Sequence, residues 1–164
     1  MLALFIGGIK SGKSKSAEEF TLKSSKNKPI YLATNEFFDD EMREKVQKHK
    51  EQRVDRFITI EEHLSLVNVI NLQETVVLVE CISMWINNML HHGYSENAMI
   101  QQIEELEELN KDIVFVINDV SCSVVSENKL VRKFVDINGR ISQLLASKCE
   151  EVYHTTAGIS IKIK

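Results

Sequence analysis

The sequence predicts an α/β fold, with a mostly parallel sheet flanked by helices and an antiparallel hairpin at its C-terminal end. Three observations predict it. Short apolar runs of strand length alternate with longer stretches of helical periodicity along the whole chain. The first run, Leu2 to Ile6, passes straight into the glycine-rich loop Gly7-Gly8-Ile9-Lys10-Ser11-Gly12-Lys13-Ser14, with a helical stretch behind it. The last two runs, Glu151 to Thr155 and Ile159 to Ile163, are too close in sequence for a crossover helix, so they pair antiparallel.

Taken in order, the stretch after Ser14 reads as a helix to Lys23, with Ala17, Phe20 and Leu22 turned inward. Lys23 to Lys28 is a polar, basic turn, and Pro29 opens a second strand, Ile30 to Ala33, which Thr34-Asn35 ends. Asp39 to Arg53 reads as a helix, with acids in its first turn and bases in its last to match the macrodipole. Its apolar stripe is narrow, Met42 and Val46, with His49 on the same stripe and Arg53 one turn further. Phe57 to Ile60 is a short extended segment. Thr59-Ile60-Glu61-Glu62 fits a capping box before a helix through Leu64, Val67 and Ile70.

Thr75 to Glu80 is a buried strand ending in an acid, and Ile82 to His92 a packed helix carrying Trp85 and stopped by Gly93. Ser95 to Lys111 is amphipathic through Met99, Ile103, Leu106 and Leu109, its acidic run forming a solvated face. Ile113 to Ile117 is a buried strand followed by the loop Asn118 to Ser123. A long helix from Glu127 to Lys148, capped by Ser126, presents Leu130, Phe134, Ile137, Ile141, Leu144 and Leu145 on one face. The closing strands turn at Ala157-Gly158.

The 164 residues suit one domain, 1–164, with a single core. Apolar residues make up 43% and charged residues 27%, as in ordinary globular proteins. The formal charge of −4 gives no reason to expect nucleic acid or an anionic membrane as partner, so any positive field is local. Cys81, Cys122 and Cys149 stand far apart, one necessarily unpaired, which suits a reducing cytoplasm and argues against a metal cluster. The first five apolar residues read as a core strand, not a signal peptide, and no apolar run approaches membrane-spanning length.

The loop carries the chemistry. It fits G-x-x-x-x-G-K-[ST] at every required position. Gly7 and Gly12 allow the tight turn that aims successive N–H groups at phosphate oxygens, and the following helix adds its positive dipole end. Lys13 supplies a point charge for the β- and γ-phosphates, and the Ser14 hydroxyl is suited to a Mg²⁺ shell. Glu80, an acid at the end of an apolar strand, is placed either to hold Mg²⁺ or its water or to sit as a solvated strand-end carboxylate. Spacing alone gives His49 no more than a surface role on a charged helix, and His63, His91, His92 and His154 read as structural.

Several stretches together resemble the adenosylcobinamide kinase / adenosylcobinamide-phosphate guanylyltransferase family of cobalamin nucleotide-loop assembly. They are GGIKSGKS, YLAT, DDEM with KHK and Arg53 downstream, VECISMWINNML, VINDV, ENKLVRKFVDINGR and AGISIKIK, and they cover nearly the whole chain in order. The resemblance implies a P-loop NTPase fold of the recombinase-like type, a homotrimer and two activities. One phosphorylates the aminopropanol hydroxyl of adenosylcobinamide with ATP or GTP; the other transfers GMP from GTP onto that phosphate through a guanylylated histidine. The matching histidine is His49. The family's nucleotide contacts fall on Gly7, Gly8, Ile9, Lys10, Ser11, Gly12, Lys13 and Ser14, on Ala33, Thr34 and Asn35, on Lys50, Glu51, Gln52 and Arg53, and on Glu61 and Glu80. The chain departs from the family pattern at Asp119 and Ser121 (usually Glu and Gly), at Ser126 (usually Pro) and at Ser142 (usually Asn). Two other readings stand beside this one: a kinase-only relative acting on another small alcohol, and a non-enzymatic nucleotide-binding module.

Overall fold

The structure, a computed structural model, describes residues 1–36, 55–121 and 125–164. The proposed helix over 39–53 lies outside the described residues. So does Cys122.

Strand β1 (Leu2–Gly7) leads through the loop into helix α1 (Lys13–Ser24), and β2 (Ile30–Ala33) follows. After β3 (Ile58–Glu61) come α2 (Leu66–Asn71), β4 (Val77–Glu80), α3 (Ile82–His91) and α4 (Glu96–Glu108). The chain closes with β5 (Ile113–Asn118), α5 (Lys129–Lys148), β6 (Glu151–Thr156) and β7 (Ile159–Lys162). The seven strands form one sheet in the order β3-β2-β4-β5-β1-β6-β7. Every pairing is parallel except β6 with β7. The hairpin therefore sits at one edge, and β1 lies deep in the sheet between β5 and β6.

Both faces of the sheet are covered, which is why its central strands are apolar up to their last residues, Gly7, Glu80 and Asn118. In β1, Leu4 enters one core while Ala3 and Phe5 enter the other; in β5, Ile113, Phe115 and Ile117 face one side and Val114 and Val116 the opposite. The larger core receives Trp85, Ile86 and Met89 from α3, Met99, Ile103 and Leu106 from α4, and Ile137, Ile141 and Leu145 from α5. Trp85 is fully buried, and its indole N–H donates to Leu64 O at 3.0 Å, so its one polar atom is satisfied. The smaller core holds Ala17 of α1, with Phe20 packed against it; Phe5 stacks on Tyr153 with ring centroids 4.7 Å apart.

Three local expectations are corrected. Thr59 does not open a capping box, because it lies inside β3, paired with Tyr31. The helix starts later, at Leu66, and the Glu62 carboxylate accepts from the N–H groups of Leu64 and Ser65 at 2.7 Å each. Ser126 is not the cap of the long helix: Asn128 is, its side chain accepting from Leu130 and Val131 N–H, while Ser126 Oγ accepts from Asn128 N–H. An Asx cap two residues downstream offers the same chemistry, so the local competition falls to geometry. Leu130, expected on the inner face, is 75% exposed, because the first turns of α5 project beyond the core that Ile137 enters.

Candidate functional site

In a parallel sheet the carboxyl ends of the strands share one edge, and ligands collect there. The register places Gly7 beside Asn118 on one side and Thr155 on the other. Ala33 stands between Glu61 and Glu80. Most of the residues implicated by sequence thus line a single edge.

The loop is held by contacts too close for side chains. A Cβ on Gly7 would lie 2.5 Å from both Ser11 Oγ and Thr155 O. Gly12 has φ +97°, and its Cβ would come 2.9 Å from Gly158 Cα. Gly158 lies in the β6–β7 turn and donates its N–H to Ser11 O at 2.7 Å. The turn itself has Ala157 at φ 51° and Gly158 at φ 81°, the paired positive angles of a two-residue hairpin turn. Here the sheet's last hairpin braces its first loop.

Gly12 is the N-cap of α1 and offers no side-chain cap. The first N–H groups of a helix lack intrahelical acceptors, so those of Lys13 and Ser14 remain to meet an anion at the positive dipole end. Lys13 is buried, and its ammonium donates to Gly8 O at 3.2 Å across the loop. Ser14 Oγ donates to Glu80 Oε1 at 2.8 Å. The strand-end acid is therefore turned to the loop serine. Ser11 Oγ is buried and has no hydrogen-bond partner among the described residues, a polar atom inside the cradle that a phosphate oxygen or its water would satisfy. Ile9 is 81% exposed, so any contact it makes with a phosphate comes from its backbone.

Beside Glu80 the end of β2 is fastened by Thr34, which is fully buried. Its N–H donates to Glu80 O at 3.0 Å; its hydroxyl donates to Cys81 O at 2.8 Å and accepts from Cys81 N–H at 2.9 Å. Asn88 of α3 reaches back to donate to Thr34 O at 2.6 Å and His63 O at 3.2 Å. Asn35 follows Thr34 past the strand end, half-buried. Glu61 is exposed at the end of β3. His49 and Lys50 to Arg53 lie outside the described residues.

A second fastening holds the end of β5. Ser83 Oγ donates to Asn138 Oδ1 at 2.7 Å and accepts from Asn118 N–H at 3.0 Å, while Asn138 Nδ2 donates to Asn118 O at 3.0 Å. Asp119 N–H donates to Gly7 O at 2.9 Å, tying this strand end to the loop. Hydrogen bonds from the Ser121 side chain and backbone, with the charge of His154, hold the Asp119 carboxyl below its ordinary range. Sequence reasoning missed Ser83, Asn88 and Asn138. The available signal was a polar residue on an otherwise apolar stripe, as with Asn138 next to Ile137 and one turn before Ile141.

No group of three or more His, Cys, Asp or Glu side chains able to hold a metal occurs among the described residues. Ser14 and Glu80 supply two oxygens at one point, which suits a cation that completes its shell with phosphate and water. Cys81 and Cys149 are free thiols, pushed up to about 12 by burial, so neither is a nucleophile at neutral pH. No helix among the described residues is long and apolar enough to cross a membrane.

The chain matches, over residues 3–163, the family described as cobinamide kinase / cobinamide phosphate guanyltransferase. It is similar along its whole length to the bifunctional adenosylcobalamin biosynthesis proteins CobU of Escherichia coli, at 32% identity, and of Salmonella typhimurium, at 33%, covering all of each relative. The protein of that description from Pseudomonas aeruginosa, CobP, is 31% identical, with all of this chain and 98% of the relative aligned. Among solved structures, flagellar accessory protein FlaH from Methanocaldococcus jannaschii superposes with a TM-score of 0.51 at 12% identity, covering 98% of this chain and 75% of that one. That likeness speaks to the fold alone.

Proposed function

This chain belongs to the cobinamide kinase / cobinamide phosphate guanyltransferase family, and we propose that both of its reactions draw on one nucleotide cradle, Gly7 to Ser14 with Glu80. It is a transferase, a kinase and a guanylyltransferase of cobalamin biosynthesis. The observation that carries the site is the Ser14–Glu80 hydrogen bond next to buried Lys13, which sets a hydroxyl, a carboxylate and a cation on one phosphate path.

In the kinase reaction ATP or GTP lies with its phosphates on the loop N–H groups. Lys13 offsets charge on the β- and γ-phosphates while the aminopropanol hydroxyl of adenosylcobinamide attacks the γ-phosphorus and the nucleoside diphosphate leaves. Ser14 and Glu80 are the residues that would hold Mg²⁺, which would offset negative charge on the phosphates. In the second reaction the neutral imidazole of His49 attacks the α-phosphorus of GTP. A phosphorus–nitrogen bond forms, the bond to the β-phosphate oxygen breaks and pyrophosphate leaves. An oxygen of adenosylcobinamide phosphate then displaces the histidine. Lys50 and Arg53, close in sequence, supply positive charge for the phosphates, and Ala33, Thr34, Asn35, Glu51, Gln52 and Glu61 complete the nucleotide contacts. His49 and residues 50–53 take these roles from the family resemblance.

A homotrimer and a cytoplasmic location complete the reading. The alternation of exposed Ile159 and Ile161 along edge strand β7, continued by Ile163 just past its end, supports self-association, since an edge strand with an apolar face is a pairing surface. Sedimentation that finds only monomer would overturn it.

Incubation with GTP labelled at the α-phosphate, followed by denaturation, tests the mechanism. The wild type should retain acid-labile, base-stable label, and His49→Asn should lose both label and guanylyl transfer while keeping cobinamide phosphorylation. Label that persists on the His49→Asn protein would place the nucleophile elsewhere.

A further inference from the structure

Helix α3 and the first turns of α5 lie antiparallel: Ser83 meets Asn138 at one level, and a hollow opens between the helices further along. Its volume is about 440 Å³, and its walls are Asn87, Leu90 and His91 of α3 and Leu130, Val131 and Phe134 of α5, with Lys133 at the rim. A second hollow of about 230 Å³ adjoins it through the shared residue Val131 and is walled by Ser121, Val125 and Arg132 among others. None of these residues belongs to the nucleotide cradle.

Position and lining narrow what this groove can hold. Asn88, between Asn87 and Leu90 on α3, is bonded to Thr34 O and His63 O, just past the ends of β2 and β3. The groove therefore stands over the carboxyl edge of the sheet, where the nucleotide's phosphates lie. Its smaller arm reaches Ser121, whose N–H is bonded to Asp119, and Asp119 N–H is bonded to Gly7 O. Apolar walls with a few amide, imidazole and ammonium groups, in a concavity of this size, are the usual makeup of a small-molecule site. Leu130 at 75% exposed, Val131 at 43% and Val125 at 80% are costly to leave in water without a use.

We propose that the α3–α5 groove is the corrinoid-docking surface: one edge of the macrocycle packs on Leu130, Val131 and Phe134, its amide arms meet Asn87, His91 and Lys133, and the aminopropanol arm runs past Ser121 to the loop. This rests on the family's cobinamide chemistry, and it adds the surface that delivers the hydroxyl. The ring and the hydroxyl are recognised separately, so the groove acts on corrinoid affinity and leaves nucleotide chemistry alone.

Leu130→Asp and Val131→Asp test it, because both side chains are exposed enough to be replaced without unfolding the helix. In kinase assays with cobinamide and saturating ATP, the KM for cobinamide should rise at least tenfold in each variant. The KM for ATP, the label taken from α-phosphate-tagged GTP and the melting temperature should stay at wild-type values. Cobinamide KM values within twofold of wild type in both variants would overturn the groove assignment. So would a change in sedimentation without a change in cobinamide KM, which would make the groove a contact between copies of the chain. A wild type that takes label from GTP but never phosphorylates cobinamide would instead overturn the functional reading, and that outcome is seen before any variant is made.

Discussion

The two flanks of the nucleotide cradle are fastened by opposite means. On the β1–β6 side, the loop is gripped by backbone: Gly7 against Thr155 O, Gly12 against Gly158 Cα, and Gly158 N–H on Ser11 O. On the β2–β4–β5 side, buried polar side chains do the fastening, Thr34 and Asn88 at one strand end and Ser83 and Asn138 at the next. A backbone grip fixes the N–H groups that must meet phosphate, and it tolerates no Cβ. A side-chain clasp sets only where the strand ends and helices stand, and it is sensitive to lost hydrogen-bond partners instead. The loop needs its geometry held to fractions of an ångström; the other flank borders the hollow between α3 and α5.

Five substitutions sharpen this contrast, and the largest effect falls on the gripped side. Lys13→Ala should lower turnover in both reactions by about a hundred- to a thousandfold, the usual loss when one charge-stabilising donor is removed. Circular dichroism should still show a folded protein, since the backbone grip does not involve the lysine side chain. Near-normal turnover in either reaction would sink the loop's catalytic assignment.

On the clasped side, Asn138→Leu strands the Ser83 hydroxyl and the Asn118 carbonyl in the core. Denaturant unfolding should show a loss of about 2–4 kcal/mol, because each orphaned buried group carries its own desolvation cost. The double variant with Ser83→Ala should lose less than the sum of the two single changes, since the groups share one network. Additive losses would show that the clasp is not a unit.

The turn that braces the loop is next. Gly158→Ala meets no atom within 4 Å, so only its φ of +81° opposes a side chain. A loss of about 1–2 kcal/mol is expected from the left-handed backbone alone. Because the Gly158 N–H remains, ATP affinity measured by calorimetry should change little. A large fall in affinity at a small fall in stability would mean that the brace is more finely set than its contacts imply.

The smallest effect concerns pH. The folded state depresses the Asp119 carboxyl through Ser121, so this contribution to stability is full above the unfolded value and disappears as pH falls through the folded one. Ser121→Ala should cost under about 1 kcal/mol at pH 7, the size of one exposed hydrogen bond, and the difference should vanish in acid. A difference that persists unchanged at pH 2 would assign it to something other than the carboxylate.

Much of the fold and of the loop side of the site is legible in the residues themselves, and the reason is physical. The loop motif specifies a strand before it and a helix after it, and the buried strands announce themselves as unbroken apolar runs. Two residues, Ala157 and Gly158, are enough to place the hairpin. Expectation and structure part where several local solutions compete. Thr59 heads a plausible capping box, but pairing with Tyr31 in β3 outweighs a cap, and Ser126 and Asn128 offer equivalent caps two residues apart. The clasps cannot be read from sequence at all. Ser83 and Asn138 are far apart in the chain, and nothing in either stretch says that one is opposite the other.

The brace between Gly158 and Ser11 also has a consequence for how the protein is made. Strand β1 and the loop are synthesised well before β5 and β6, which flank β1 in the sheet and whose residues are more than a hundred positions downstream. At a synthesis rate of about 5–20 residues per second, β1 waits roughly 5–30 seconds for these neighbours. Throughout that interval the nascent chain carries an apolar strand with two unpaired edges and a loop that has nothing to lean on. The loop motif is therefore complete long before its brace: a ribosome stalled before Gly158 would hold a chain with every residue of the loop and none of the contacts that the β6–β7 turn makes with it.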